Sequence, residues 1–169
     1  MTIGQSMLPE FDHEMATTRR VLERVPEDKL DWKAHEKSNT IGWLANHLVE
    51  IPSWTGMTIN IDELDIDPPG GKPYETPKLS SVQEMLAAFD KHVTEARAVL
   101  ENVDDAKLFT DWTMLKGGEK IFSMPKLGCI RTWVLNHMIH HRAIMAVYLR
   151  LNDIPVPSIY GPSGDETGM

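Results

Sequence analysis

The sequence predicts an all-α fold, a four-helix bundle with a long loop between its second and third helices and a small β-hairpin before the fourth. Three observations carry this expectation. Four stretches repeat apolar side chains at spacings of three and four, helix-starting residues stand ahead of them, and glycine and proline gather between them. Helix 1 is expected from about Ile3 to Arg24, with Phe11, Met15, Thr18, Leu22 and Val25 inward and Pro26 at its end. A link follows that holds a short helical turn, Pro-Glu-Asp-Lys-Leu, and Trp32, which is expected to cap the bundle end. Helix 2 starts at Ser38 or Thr40, whose hydroxyls can accept from free first-turn amides, and turns Ile41, Leu44, His47, Leu48 and Ile51 inward. Pro52 is expected to kink it.

After Ile61 comes DELDIDPPGGKPYETPK, too rich in proline and glycine to be helical. Two readings are open: a solvated crossover, which a bundle with parallel neighbours requires, or a cover over a site. Helix 3 opens on Ser81-Val-Gln-Glu84, a capping-box pattern, and runs to Asn102 with Val82, Met85, Leu86, Phe89, Val93, Ala96 and Leu100 inward. WTMLKGGEKIF sets two glycines between runs able to extend and predicts a hairpin from Trp112 to Phe122. Helix 4 is expected from Lys126 to Leu151, stopped by Asn152, Asp153 and Pro155 before an aperiodic tail.

The 169 residues suit one domain spanning residues 1–169, long enough to bury roughly two-thirds of the unfolded surface. Cys129 is the sole cysteine, so no intrachain disulfide can form, which points to a reducing cytoplasm. The N-terminus lacks a basic flank followed by an apolar run, and no run approaches the ~18 residues that span a bilayer, so no membrane association is expected. Net charge is −8, with 25 acidic and 17 basic side chains and no basic stripe, which argues against nucleic acid as a partner.

The segment WVLNHMIHHRAIMAVYLR carries the chemistry. At 3.6 residues per turn Ile130, Val134, His137, His141, Ile144 and Tyr148 share one stripe, so two imidazoles point where apolar side chains point. One buried imidazole can be satisfied by a single neighbour. Two placed one turn apart need a shared partner, and a divalent ion is the most economical one. A third ligand is offered by WLANHLVEI, where Trp43, Asn46 and His47 repeat the pattern of Trp133, Asn136 and His137. His140 also lies within a turn of His137; its helical angle sets it toward Trp133, and His141 is preferred. His13, His35 and His92 are read as solvated or structural.

A weak duplication accompanies this pattern. LERVPEDKL after helix 1 matches LENVDDAKL after helix 3 at Leu22/Leu100, Glu23/Glu101, Val25/Val103, Lys29/Lys107 and Leu30/Leu108. Two hairpins packed about a pseudo-twofold would bring His47 to His137. Three neutral nitrogens leave a cation's charge intact and a coordination position open. Zinc or nickel is the expected ion, with iron, copper or manganese as alternatives. Asn46 and Asn136 are considered as orienting partners, although neighbours on a helix point about 100° apart.

WLANHL, the hairpin, and NHMIHHRAIMAVYLRLNDIPVPSIYGPS together resemble the DinB-like, damage-inducible superfamily of metal-binding four-helix bundles. The resemblance implies an up-down-down-up helix order, a ligand set of His47, His137 and His141, and a homodimer. Where the family pattern continues with Gly-Gln after His-His-Arg, this chain has Ala143 and Ile144, which removes a polar side chain near the ion. Relatives of this kind include transferases and isomerases that use low-molecular-weight thiols such as bacillithiol or mycothiol. The leading expectation is therefore a metal- and thiol-dependent S-transferase acting on a small-molecule electrophile, with Arg142 or Arg150 considered for cofactor carboxylates against an ordinary solvated role. A hydrolase using Glu50 or Glu14, both otherwise read as surface carboxylates, and a non-catalytic, metal-stabilised stress-response module are the alternatives.

Overall fold

The computed structural model describes residues 1–167; Gly168 and Met169, the end of the expected tail, lie outside the described residues. The chain is mostly helical, with a three-stranded sheet at one end. Helix α1 spans Ile3–Leu22 and is capped reciprocally: the Gln5 N–H donates to the Thr2 hydroxyl at 3.2 Å, and the Thr2 N–H to the Gln5 side chain at 3.1 Å. It ends two residues before the expected Arg24. All five of its expected inward residues are buried.

Helix α2 covers Ile41–Glu50, with Thr40 accepting the Trp43 N–H at 3.1 Å. Pro52 tightens Ile51–Ser53 into a 3₁₀ turn, and the chain continues as α3, Trp54–Asn60. Helix α4 runs Val82–Asn102 from its Ser81 cap, and Asp105–Leu108 forms the short α5. The last helical segment is not uniform. It begins as α6, Lys126–Cys129, widens into a π-helical stretch over Ile130–Asn136, and resumes as α7, His137–Leu151. The His137 N–H reaches back five residues to the Thr132 carbonyl, so the wide turn sits directly before the first histidine of interest.

Helix α1 packs against α4 and α7, and α2 packs against the same two. Their inward apolar residues form one cluster that includes Phe11, Leu48, Phe89, Val134 and Met145. The approach of α1 to α4 requires glycine at position 4, where a Cβ would fall 2.1 Å from the Leu100 carbonyl oxygen. Among the described residues no helix is long and apolar enough to cross a membrane.

The expected hairpin is present as β2, Asp111–Lys116, and β3, Glu119–Pro125, turning through Gly117 and Gly118. Both glycines have positive φ, 63° and 81°, the pair that a type I′ turn demands. A third strand was not expected: β1, Glu63–Asp65, comes from the proline- and glycine-rich segment and pairs parallel with β2. The Asp65 carboxylate accepts the N–H groups of Gly117 and Gly118 at 3.1 and 2.7 Å and thus fastens this segment to the hairpin turn. Lys126, wholly buried, donates to the carbonyls of Thr58, Ile59 and Ile61, at 2.9, 3.2 and 2.6 Å, and caps the C-terminal end of α3.

The aperiodic tail is held by charge. Glu166 pairs with Arg20 and Arg24, and Asp165 pairs with Arg150. Deeper in, Arg142 is 1% exposed and meets the Glu14 carboxylate at 2.7 Å, the Glu14 carbonyl at 3.1 Å and the Tyr160 hydroxyl at 2.7 Å. The expected solvated faces of Arg142 and Glu14 are thus corrected: the two form a buried ion pair, because each is the other's means of entering the core.

Candidate metal centre

The turn after Thr40 aims His47 inward from α2, and the π-helical stretch delivers His137 and His141 from α7. Their Nε2 atoms converge: His47 lies 3.4 Å from His137, and His141 lies 2.7 Å from His137. One nitrogen from each ring fits within a span of 4.8 Å. Zinc–nitrogen bonds of about 2.0–2.1 Å place tetrahedral ligand atoms about 3.3 Å apart, so these separations bracket what one ion needs. His47 and His137, which occupy equivalent places in the Trp-x-x-Asn-His repeat, are in contact.

Glu50, one turn after His47, is 2% exposed, and its Oε1 accepts from His47 Nδ1 at 2.7 Å. That carboxylate fixes the tautomer, so His47 Nε2 presents a lone pair. Whatever tautomers His137 and His141 take, at least one of the three converging nitrogens then lacks its partner. The Nδ1 atoms of His137 and His141 are also buried without a hydrogen bond of good geometry. A cation satisfies the three converging atoms at once, and the donor set fits a divalent ion.

Burial, then the neighbouring His47, lowers the pKa of His137; the same two causes push that of His141 down to about 3. Both rings therefore stay neutral at physiological pH, the state that ligation requires. Aromatic rings wall them in. Trp43 stacks on His47 at 4.6 Å, and Trp54 lies 5.4 Å from both His47 and His137.

The segment read as either crossover or cover reaches this site. Its Tyr74 hydroxyl donates to Glu50 Oε2 at 2.9 Å, and its Thr76 hydroxyl donates to Oε1 at 2.9 Å. Burial pushes the Tyr74 phenol up to about 12, so it stays a donor. Asn46 has a different task from orienting a ligand: it clamps the same segment, accepting the Leu79 N–H at 2.8 Å and donating to the Leu79 carbonyl at 3.0 Å. Beside the histidines opens a cavity of about 260 Å³, with His47, His137 and Glu50 on its wall.

The remaining candidates fall elsewhere. His140 is exposed, touching only the edge of His141 among aromatic neighbours, and His92 donates to the Val49 carbonyl at 2.9 Å. His35 and Asn136 are exposed, and His13 stacks on Tyr160. Glu50 was legible as a residue three beyond His47, but a carboxylate on a helix is normally solvated. Tyr74 and Thr76 carried no periodic signal at all.

A mostly helical protein with three convergent histidines beside a small sheet is the class that fold and site define. The DinB superfamily model matches residues 10–145, and the chain belongs to that superfamily. It is 25% identical over 163 residues to YrdA of Bacillus subtilis strain 168, covering 94% of this chain and 89% of that one. Crystal structures of two DinB-like proteins share the fold. One, from Bacillus cereus ATCC 10987, has a TM-score of 0.66 at 23% identity over 92% of this chain and 97% of its own. The other, YjoA of Bacillus subtilis, has 0.68 at 15% identity over 91% and 97%.

Proposed function

We propose that His47, His137 and His141 hold a divalent ion, zinc or nickel before iron or manganese, and that the protein is a low-molecular-weight-thiol-dependent S-transferase. The convergence of three Nε2 atoms beside a cavity carries this reading. Bound there, such an ion would lower the pKa of a thiol and supply thiolate at neutral pH. Cys129 on the cavity wall is a poor rival nucleophile, because burial pushes its thiol up to about 11. Glu50 orients His47, while Tyr74 and Thr76 occupy the carboxylate and keep it from serving as a free base, which disfavours the hydrolase alternative.

With this reading go an up-down-down-up order of the long helical segments, a homodimer and a cytoplasmic setting. Plasma mass spectrometry of tag-free protein tests the centre: close to one ion per chain in wild type and almost none in His137→Ala is expected. Equal traces in both would defeat it. Holoprotein should then consume monochlorobimane only when a thiol is supplied; loss of melting temperature on chelation without any thiol response would instead mark a metal-stabilised module.

A further inference from the structure

The cavity beside the histidines has a composition that restricts what can enter it. Trp54, Trp112, Trp133, Met57, Met114 and Leu64 contribute large apolar side chains to its wall. Among the described residues no lysine or arginine lines it, and Glu50 is its one carboxylate. Both Glu50 oxygens already accept, from His47, Thr76 and Tyr74. An anion entering here would lose its water beside a carboxylate and find no cation of the chain to meet, a cost that only a neutral group avoids. A cation would find Glu50 already spent on three donors.

Size narrows the choice further. A cavity of about 150 Å³ accommodates benzene, so about 260 Å³ suits a substituted ring or a branched alkyl group. Trp112 adds to the apolar wall. Trp112 is 5% exposed, and its buried indole N–H has no hydrogen-bond partner. Aromatic walls favour a flat apolar guest through edge and face contacts.

We propose that this cavity binds an uncharged aromatic or branched-alkyl group, with one end of the guest toward His47 and His137. The assignment rests on the transferase reading only in naming this guest as the apolar part of the electrophile. Charged portions of any thiol remain outside the cavity.

The test uses two nitroaromatic quenchers of tryptophan fluorescence, neutral 4-nitrotoluene and anionic 4-nitrobenzenesulfonate, titrated into full-length protein with zinc and again in excess chelator. Saturable quenching by the neutral compound, at least about tenfold tighter than by the sulfonate, is expected in excess chelator, where no ion stands at the wall to meet the sulfonate; zinc should narrow that ratio. Leu64→Arg, which sets a guanidinium in the wall, should erase or invert that preference. Equal affinities in chelator, or only linear collisional quenching by both compounds, would overturn the assignment. A preserved neutral preference in protein that takes up no zinc supports the cavity assignment and defeats the metal reading alone.

Discussion

His141 and Arg142 are consecutive residues of α7 and belong to opposite electrostatic arrangements. Around Arg142 a buried cation meets the Glu14 carboxylate, a backbone carbonyl, and the hydroxyls of Thr18 and Tyr160, so its donors are answered by the protein itself. Around His141 three nitrogens face one another, and no set of tautomers satisfies all three. The first cluster is closed and joins the tail to α1 and α7. The second is unsatisfied within the chain, and its three nitrogens are compatible with a divalent ion. Helical geometry permits this split because consecutive side chains diverge by about 100°, which lets one helix serve a sealed core and an open site.

The largest expected effect breaks the closed side. Arg142→Ala strands Glu14 in the core and should cost about 3–5 kcal/mol in urea unfolding. His137→Ala in metal-free protein should cost far less, since it removes a nitrogen that has no settled partner. If the two losses were equal, the contrast between a satisfied and an unsatisfied cluster would collapse.

Acid sharpens the comparison from the other side. His141 titrates near 3 when folded and near 6.5 when unfolded, and the His137 shift has the same sign. The unfolded chain therefore binds more protons between those values, so metal-free protein should lose stability as pH falls from about 6.5 toward 3. Urea midpoints measured against pH in chelator should follow this slope, and His141→Gln should flatten it. Bound metal should leave over the same descent, because ligation needs neutral rings.

The smallest effect concerns support for the site. Glu50→Gln keeps the shape but removes the charge behind His47, and should weaken zinc binding about 10- to 100-fold with little change in the fold. Competition with a chromophoric chelator measures it. Unaltered affinity would mean that the carboxylate serves the Tyr74 and Thr76 contacts alone.

The same division separates what was legible from what was not. Thr40 and Ser81 as helix caps, the Gly117-Gly118 turn and the three histidines could be read because each depends on local geometry: a free amide, a positive φ, a repeat of 3.6. The π-helical widening before His137 could not, since an extra residue per turn leaves no compositional mark. Nor could strand β1, whose three residues pair only because β2 stands beside them.

The sequence by itself determined the mostly helical character, the hairpin and the candidate histidines His47, His137 and His141, because periodicity and spacing act within a turn or two of chain. Only the tertiary structure decided what those residues meet. It buried Glu50 behind His47, brought Tyr74 and Thr76 across from an aperiodic segment, and paired Glu14 with Arg142 over 128 positions of sequence. A charged side chain is read as solvated until a partner arrives from elsewhere in the chain, and burial becomes favourable only where packing supplies that partner at hydrogen-bonding distance.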